Sequence, residues 1–119
     1  MEENAKIFRT EESLEKQTKI LSDLRDRYQN VTISDKGKVF NTELLEAIEL
    51  EYLLDMSDTT VASALHRKES RGAHSRVDHV ERDDKNWLKH SFAFKNGDSV
   101  KLEYKDVELG NYEPKERKY

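Results

Sequence analysis

Residues 41–69 read NTELLEAIELEYLLDMSDTTVASALHRKE, and the placing of apolar residues in this stretch decides the fold. Asn41 or Thr42 offers an N-cap oxygen, and the spacing predicts a helix running to about Glu69. At 1.5 Å per residue such a helix is roughly 40 Å long. In its first half Leu44, Leu45, Ile48, Tyr52 and Met56 share one face. In its second half Leu54, Val61, Ala62 and Leu65 lie on a face rotated from the first. A helix with two apolar faces needs two different neighbours, and the remaining sequence supplies few.

Upstream, Thr10 can cap a second helix, with Glu11 and Glu12 placing negative charge among its free N–H groups. Leu14, Ile20, Leu21, Leu24 and Tyr28 then fall on one side of a helix reaching Asn30. Residues Met1 to Phe8 read as the last turns of a further helix whose beginning is missing. Val31-Thr32-Ile33 favours extended backbone and Ser34-Asp35-Lys36-Gly37 is turn chemistry. Downstream, Ser70-Arg71-Gly72 closes the long helix, with Gly72 free to adopt the left-handed conformation. Residues 73 to 86 show no period. Strand patterning returns from Leu88 to Phe94 and from Val100 to Tyr104, with Asn96-Gly97 between them as a hairpin signal. The tail from Gly110 onward is expected to be extended. The expected fold is mainly α: an antiparallel three-helix bundle with its first helix truncated, then an irregular arm and a C-terminal β-hairpin. Residues 1–72 form the bundle, and residues 73–119 are the charged loop, hairpin and tail of the same domain.

The bulk properties agree with a single domain that has a thin core. The chain has 119 residues, 34% of them hydrophobic and 39% charged, with a net charge of −4. That is apolar-poor for a globular domain. Acidic and basic residues interleave, so there is no basic stripe of the kind that neutralises phosphates, and nucleic acid is not an expected partner. The locally basic run Lys115-Glu116-Arg117-Lys118 reads as a solvated tail. There is no cysteine, hence no disulfide framework, thiolate metal site or cysteine nucleophile. No apolar run is long enough to span a bilayer.

The chemistry-bearing residues crowd into Arg67-Lys68-Glu69-Ser70-Arg71-Gly72-Ala73-His74-Ser75-Arg76-Val77-Asp78 and Glu81-Arg82-Asp83-Asp84-Lys85-Asn86-Trp87-Leu88-Lys89-His90. Three readings compete. His74, His79 and His90 with Asp83 or Asp84 would make a metal site, but the spacing fits no common zinc pattern. His74 beside Asp78 would make an acid–base centre. The preferred reading is an ion-pair network of arginines and carboxylates that pins an irregular loop. Trp87 reads as the filler of a small satellite core.

These same runs, Arg67 to Arg76 and Glu81 to His90, resemble the C-terminal domain of succinate dehydrogenase and fumarate reductase flavoproteins. Phe8 to Leu14, Val39 to Leu44, Ile48 to Leu50, Leu102 to Val107 and Arg117-Lys118-Tyr119 resemble further parts of it, in order and over nearly the whole chain. The resemblance implies a parent subunit that binds FAD, usually covalently through a histidine, and interconverts succinate and fumarate. Electrons then pass to or from an iron–sulfur subunit that holds the clusters. The flavin-linking and substrate-binding residues of the family lie in upstream domains. No catalytic, cofactor-binding or metal role is therefore carried onto this chain, and the isolated segment is expected to be inactive. The charged loop's density of arginine, aspartate and histidine, with helix faces that lack partners, points to a docking domain held against the upstream flavin-binding domain or the iron–sulfur subunit. Its expected interface residues are Glu69, Arg71, His74, Arg76, Arg82, Asp83, Asp84, Trp87 and His90. The parent complex places it in the cytoplasm, peripheral to the inner face of the cell membrane, without insertion of its own. An L-aspartate oxidase-type domain and an autonomous helical interaction module are the alternatives. The under-partnered helices also imply a tendency to self-associate.

Overall fold

A computed structural model describes residues 1–97 and 99–115. Its elements run β1 (Phe8–Arg9), α1 (Glu11–Tyr28), α2 (Thr42–His66), β2 (Ser75–Arg76), α3 (Asp84–Trp87), β3 (Lys89–Asn96) and β4 (Ser99–Asp106). The mainly helical class with a C-terminal hairpin stands.

Helix α1 starts where the sequence says it must. The Thr10 hydroxyl accepts from the Ser13 N–H at 3.1 Å, and Ser13 Oγ accepts from the Thr10 N–H at 3.0 Å. This reciprocal pair satisfies two of the groups that a helix start leaves without partners. Helix α2 is capped by Asn41, whose side-chain oxygen accepts from the Leu44 N–H at 2.8 Å. The two helices are antiparallel. Arg25, late in α1, meets Asp55 and Asp58 midway along α2, and the Tyr28 hydroxyl donates to the Ala47 carbonyl near its start.

Leu14 and Leu21 of α1 close on Leu54, Val61 and Ala64 of α2, with Leu24, Tyr28 and Leu65 half-buried around them. That is the rotated second face of the long helix. The first face finds no cover among the described residues: Leu45, Tyr52 and Met56 are all more than half exposed. The hairpin covers part of α2 from another side, where Lys95 Nζ donates to Asp58 at 2.7 Å. The result is elongated, 57 × 32 × 29 Å, with a radius of gyration of 18.1 Å. A compact chain of this length would have about 13.5 Å.

Four expectations need correction. Residues 1–8 keep only one helical turn of the expected helix end. Ala5 donates to the Met1 carbonyl in an isolated turn, Asn4 reaches the buried Gln17 amide at 3.2 Å, and Phe8–Arg9 form β1. A parallel pairing of Phe8 with Ser75 and Arg9 with Arg76 draws that segment into extended form. A short helix that the sequence did not announce, α3, lies in the stretch that shows no period. Secondly, α2 stops at His66, three residues early, because Arg67 takes extended backbone and turns its guanidinium toward the arm. Thirdly, Gly72 does have a positive φ of 58°, but it serves a tight turn beyond the helix. Arg71 and His74 exchange N–H···O bonds of 2.8 and 3.0 Å around it. Only its first central residue needs positive φ, as in a type II′ turn. Lastly, the hairpin is longer than its patterning, and Asn96 pairs with Ser99, so the turn begins at Gly97. The basic run from Glu116 and the family-like Arg117-Lys118-Tyr119 lie outside the described residues.

Candidate functional site

The dense segment folds into two linked ion-pair clusters, each built round one fully buried charge. Glu69 is 0% exposed. One edge of the Arg71 guanidinium meets both its oxygens, at 2.9 and 3.0 Å. Arg67 Nη1 and the Asp83 backbone N–H complete its shell, the latter at 2.9 Å. Burial alone would push the Glu69 carboxyl up; Arg71, the Asp83 N–H and Arg67 outweigh it and hold it below the usual range. The cluster continues outward. Arg71 Nη2 donates to Asp84 at 2.6 Å, and Arg82 grips both Asp84 oxygens at 2.7 and 2.6 Å. Asp83 caps α3, its carboxylate accepting from the Asn86 N–H at 3.0 Å.

Arg67 ties this cluster to the hairpin. Its guanidinium donates to the Trp87 carbonyl at 3.0 Å and the Lys89 carbonyl at 2.7 Å, and lies 5.3 Å from the centre of the Trp87 ring. Trp87 in turn meets Tyr104 edge-on, ring centres 5.8 Å apart. Trp87 is thus half-buried between Arg67, Lys89 and Tyr104.

The second cluster surrounds Arg76, also 0% exposed. Its Nε and Nη2 meet the two Asp78 oxygens at 2.7 Å each. Nη1 donates to the Ala64 and Leu65 carbonyls at 3.1 and 3.2 Å, and Nη2 also reaches Glu11 at 3.2 Å. Asp78 accepts from the Glu11 backbone N–H at 2.8 Å. A cation thus sits on the carbonyl end of α2 and an anion on the amide end of α1, each complementing a helix dipole. Together they fasten the two helix ends to each other. Arg76 first, and then the Glu11 N–H, hold the Asp78 carboxyl far below its ordinary range.

His74 stands between the clusters, but not as a base. Arg9 Nη1 lies 2.8 Å from its Nδ1, and the Arg67 carbonyl 3.1 Å from its Nε2. Arginine only donates, so Nδ1 accepts and Nε2 carries the proton: a neutral ring. Burial lowers its pKa, and the charges of Arg9, Arg76 and Arg67 add to the effect. Asp78 is committed to Arg76 and Glu11, so the His74–Asp78 centre does not form. Nor can His74 join a metal site, because both ring nitrogens are engaged. Among the described residues one potential ligand group gathers within 4.8 Å, Glu11, Asp78 and His79, but Arg76 already holds both carboxylates of it.

Of the nine expected residues, Glu69, Arg71, Arg82, Asp83, Asp84 and Trp87 share the first cluster; Arg76 and His74 belong to the second and its border. His90 is exposed, tilted against Phe92, and joins neither. Sequence reading passed over Arg67, Arg9 and Glu11. Arg67 sits at the head of the dense segment and was within its reach. Arg9 and Glu11 lie 65 residues from the side chains they meet, and no local pattern could have found them.

The carboxylates make the acid limb of stability predictable. Arg82 and then Arg71 lower Asp84 to about 2, and Glu69 and Asp78 are lowered too. A folded-state pKa below the unfolded one stabilises fully above the unfolded value and fades as pH falls toward the folded one. The unfolding midpoint should therefore start to fall below about pH 6.5, where His74 takes up a proton only in the unfolded chain, and fall steeply below about pH 4. A midpoint unchanged down to pH 3 in a thermal melt would contradict these lowered carboxyls.

The four glycines stand singly at 37, 72, 97 and 110, with no G-x-G-x-x-G turn to admit a pyrophosphate. No described helix is long and apolar enough to cross a membrane.

Comparison with known proteins agrees with this picture. The family described as fumarate reductase flavoprotein C-terminal matches residues 1–119. The fumarate reductase flavoprotein subunit of Haemophilus influenzae is 42% identical over 120 residues, covering 100% of this chain and 20% of the relative. The mitochondrial succinate dehydrogenase flavoprotein subunit of rice is 42% identical over 126 residues, again covering 100% and 20%. A solved structure of a mutant Escherichia coli quinol fumarate reductase superposes with a TM-score of 0.94 at 44% identity, over 98% of this chain and 20% of that one. The chain thus spans about a fifth of the length of these relatives, and they do not favour the L-aspartate oxidase or autonomous-module alternatives. It belongs to the family of C-terminal domains of fumarate reductase and succinate dehydrogenase flavoproteins.

Proposed function

We propose that the chain serves as the docking domain of a flavoprotein subunit that carries FAD and interconverts succinate and fumarate, exchanging electrons with an iron–sulfur subunit. Residues 1–72 are its helical part and residues 73–119 its arm, working as one domain peripheral to the membrane. The two charge clusters supply no nucleophile, free base or phosphate cradle. Their part is to brace the arm and the helix ends, so that the apolar surface keeps one shape. Glu69, Arg71, Arg82, Asp83, Asp84 and Trp87 support the interface from behind, with Arg76 and His74.

The observation that carries this reading is Phe40. It is 95% exposed and holds a left-handed φ of 54°, which is costly for an aromatic residue. The loop behind it is locked: Glu43 accepts from the Ser34 and Asp35 N–H groups at 3.0 and 2.7 Å. The Asn41 amide donates to the Asp35 and Gly37 carbonyls at 2.9 and 3.0 Å. A strained, fixed and solvent-facing phenylalanine beside exposed Val39, Leu44 and Leu45 is the anatomy of an interface anchor. In the full-length subunit, Phe40→Ala together with Leu53→Ala should reduce recovery of the assembled, flavin-loaded complex at least tenfold. Assembly and flavin content equal to the parent's would sink the docking role.

A further inference from the structure

Beside the helix crossing, a trough of about 580 Å³ runs between the second half of α2 and β3. Its floor is apolar, from Met56, Ala64 and Ala93, and its rim carries Arg9, Arg67 and His74. No carboxylate lines it, although the chain holds 25 acidic residues against 21 basic ones. The hydroxyls on the α2 wall are turned back onto their own helix carbonyls. The trough therefore presents apolar surface and positive charge with little else.

The two arginines differ in one respect. Arg67 is neutralised by Glu69 and has its donors taken by backbone carbonyls. Arg9 is half-buried, yet among the described residues its side-chain bonds go to neutral acceptors, the Lys6 carbonyl at 2.5 Å and His74 Nδ1 at 2.8 Å. No described carboxylate forms an ion pair with it. Partial burial of a guanidinium without a counter-charge is unfavourable, and here it lowers the arginine's pKa. Two such bonds leave further N–H donors of its five for a ligand. Neutral His74 holds Arg9 at the trough without adding charge of its own.

We infer that this trough receives an extended segment of the parent flavoprotein polypeptide, from outside these 119 residues, and that an aspartate or glutamate on that segment pairs with Arg9. The inference rests on the docking reading and gives it a second, charge-specified contact apart from Phe40. A free carboxylate ligand fits less well: the trough is open along its length, whereas small-molecule sites enclose most of their ligand. Arginine facing a carboxylate forms a two-pronged pair that also sets the segment's register.

The test uses the full-length subunit expressed with its partner subunits. The photo-crosslinker p-benzoylphenylalanine is placed at the Thr60 position on the trough wall or, in a second protein, at the Leu53 position on the bare face of α2. Irradiation and peptide mass spectrometry should join the Thr60 probe to a peptide of the same polypeptide that contains an acidic residue. Arg9→Gln should cut that yield at least tenfold, while Arg9→Lys retains most of it, with circular dichroism showing both variants folded. Crosslinks to another subunit, crosslinks to a peptide without an acid, or yields indifferent to Arg9→Gln would overturn the inference. If the Leu53 probe reacts and the Thr60 probe does not, the trough assignment falls and the docking reading stands. If neither reacts, both fall.

Discussion

Glu69→Ala is expected to lower the unfolding free energy by about 3–5 kcal/mol, the range for breaking a buried ion pair from one side. The substitution removes the shared acceptor of Arg67, Arg71 and the Asp83 N–H at once. Two guanidiniums would then face each other in a half-buried site with one carboxylate fewer, and a backbone donor would lose its partner. Glu69→Gln separates charge from shape. It keeps the volume and one acceptor oxygen but presents amide hydrogens to an arginine, so it too should destabilise, by less than alanine. Urea unfolding of the two variants checks the order. A loss under about 1 kcal/mol for Glu69→Ala would mean that water replaces the carboxylate and that the cluster is an exposed pair in disguise.

Arg76→Lys should cost about 3 kcal/mol, although it preserves the charge. The five N–H donors of Arg76 meet five acceptors: two Asp78 oxygens, Glu11 and the Ala64 and Leu65 carbonyls. Lysine has three donors on a point charge, so at least two acceptors go unmet, each charge-assisted bond being worth about 1.5–3 kcal/mol. The location of the damage discriminates further. Arg76 covers the last carbonyls of α2 and, through Asp78, the first amide of α1, so hydrogen exchange should quicken at those helix ends. The β3–β4 hairpin, tied to α2 through Lys95 and Asp58, should keep its protection. Uniform loss of protection over all elements would show that Arg76 holds the whole fold and not this corner.

These two residues also show how far the sequence could be read. Both belong to the charged segment picked out from composition and resemblance, and an ion-pair network was the preferred reading of it. Its wiring was not legible. Glu69 and Arg71 are two residues apart, so their pairing has a local signature; Arg76 and Glu11 are 65 apart, and only the fold makes them neighbours. The early end of helical backbone in residues 1–8 has the same origin. Phe8–Arg9 meet a strand partner at Ser75–Arg76, and tertiary pairing overrode local preference.

The long helix with its two apolar faces was determined by the sequence alone, because periodicity at 3.6 residues is a property of neighbours along the chain. The capped start of α1, the hairpin near Asn96 and the thinness of the core were readable for the same reason. Which face of α2 is covered, and that Phe40 and the Met56 face are left bare, was decided only by the tertiary structure. So were the five-acceptor seat of Arg76 and the placing of Arg9 away from every described carboxylate. Burial and ion pairing depend on distances between residues far apart in sequence, and the chain encodes those only through its fold.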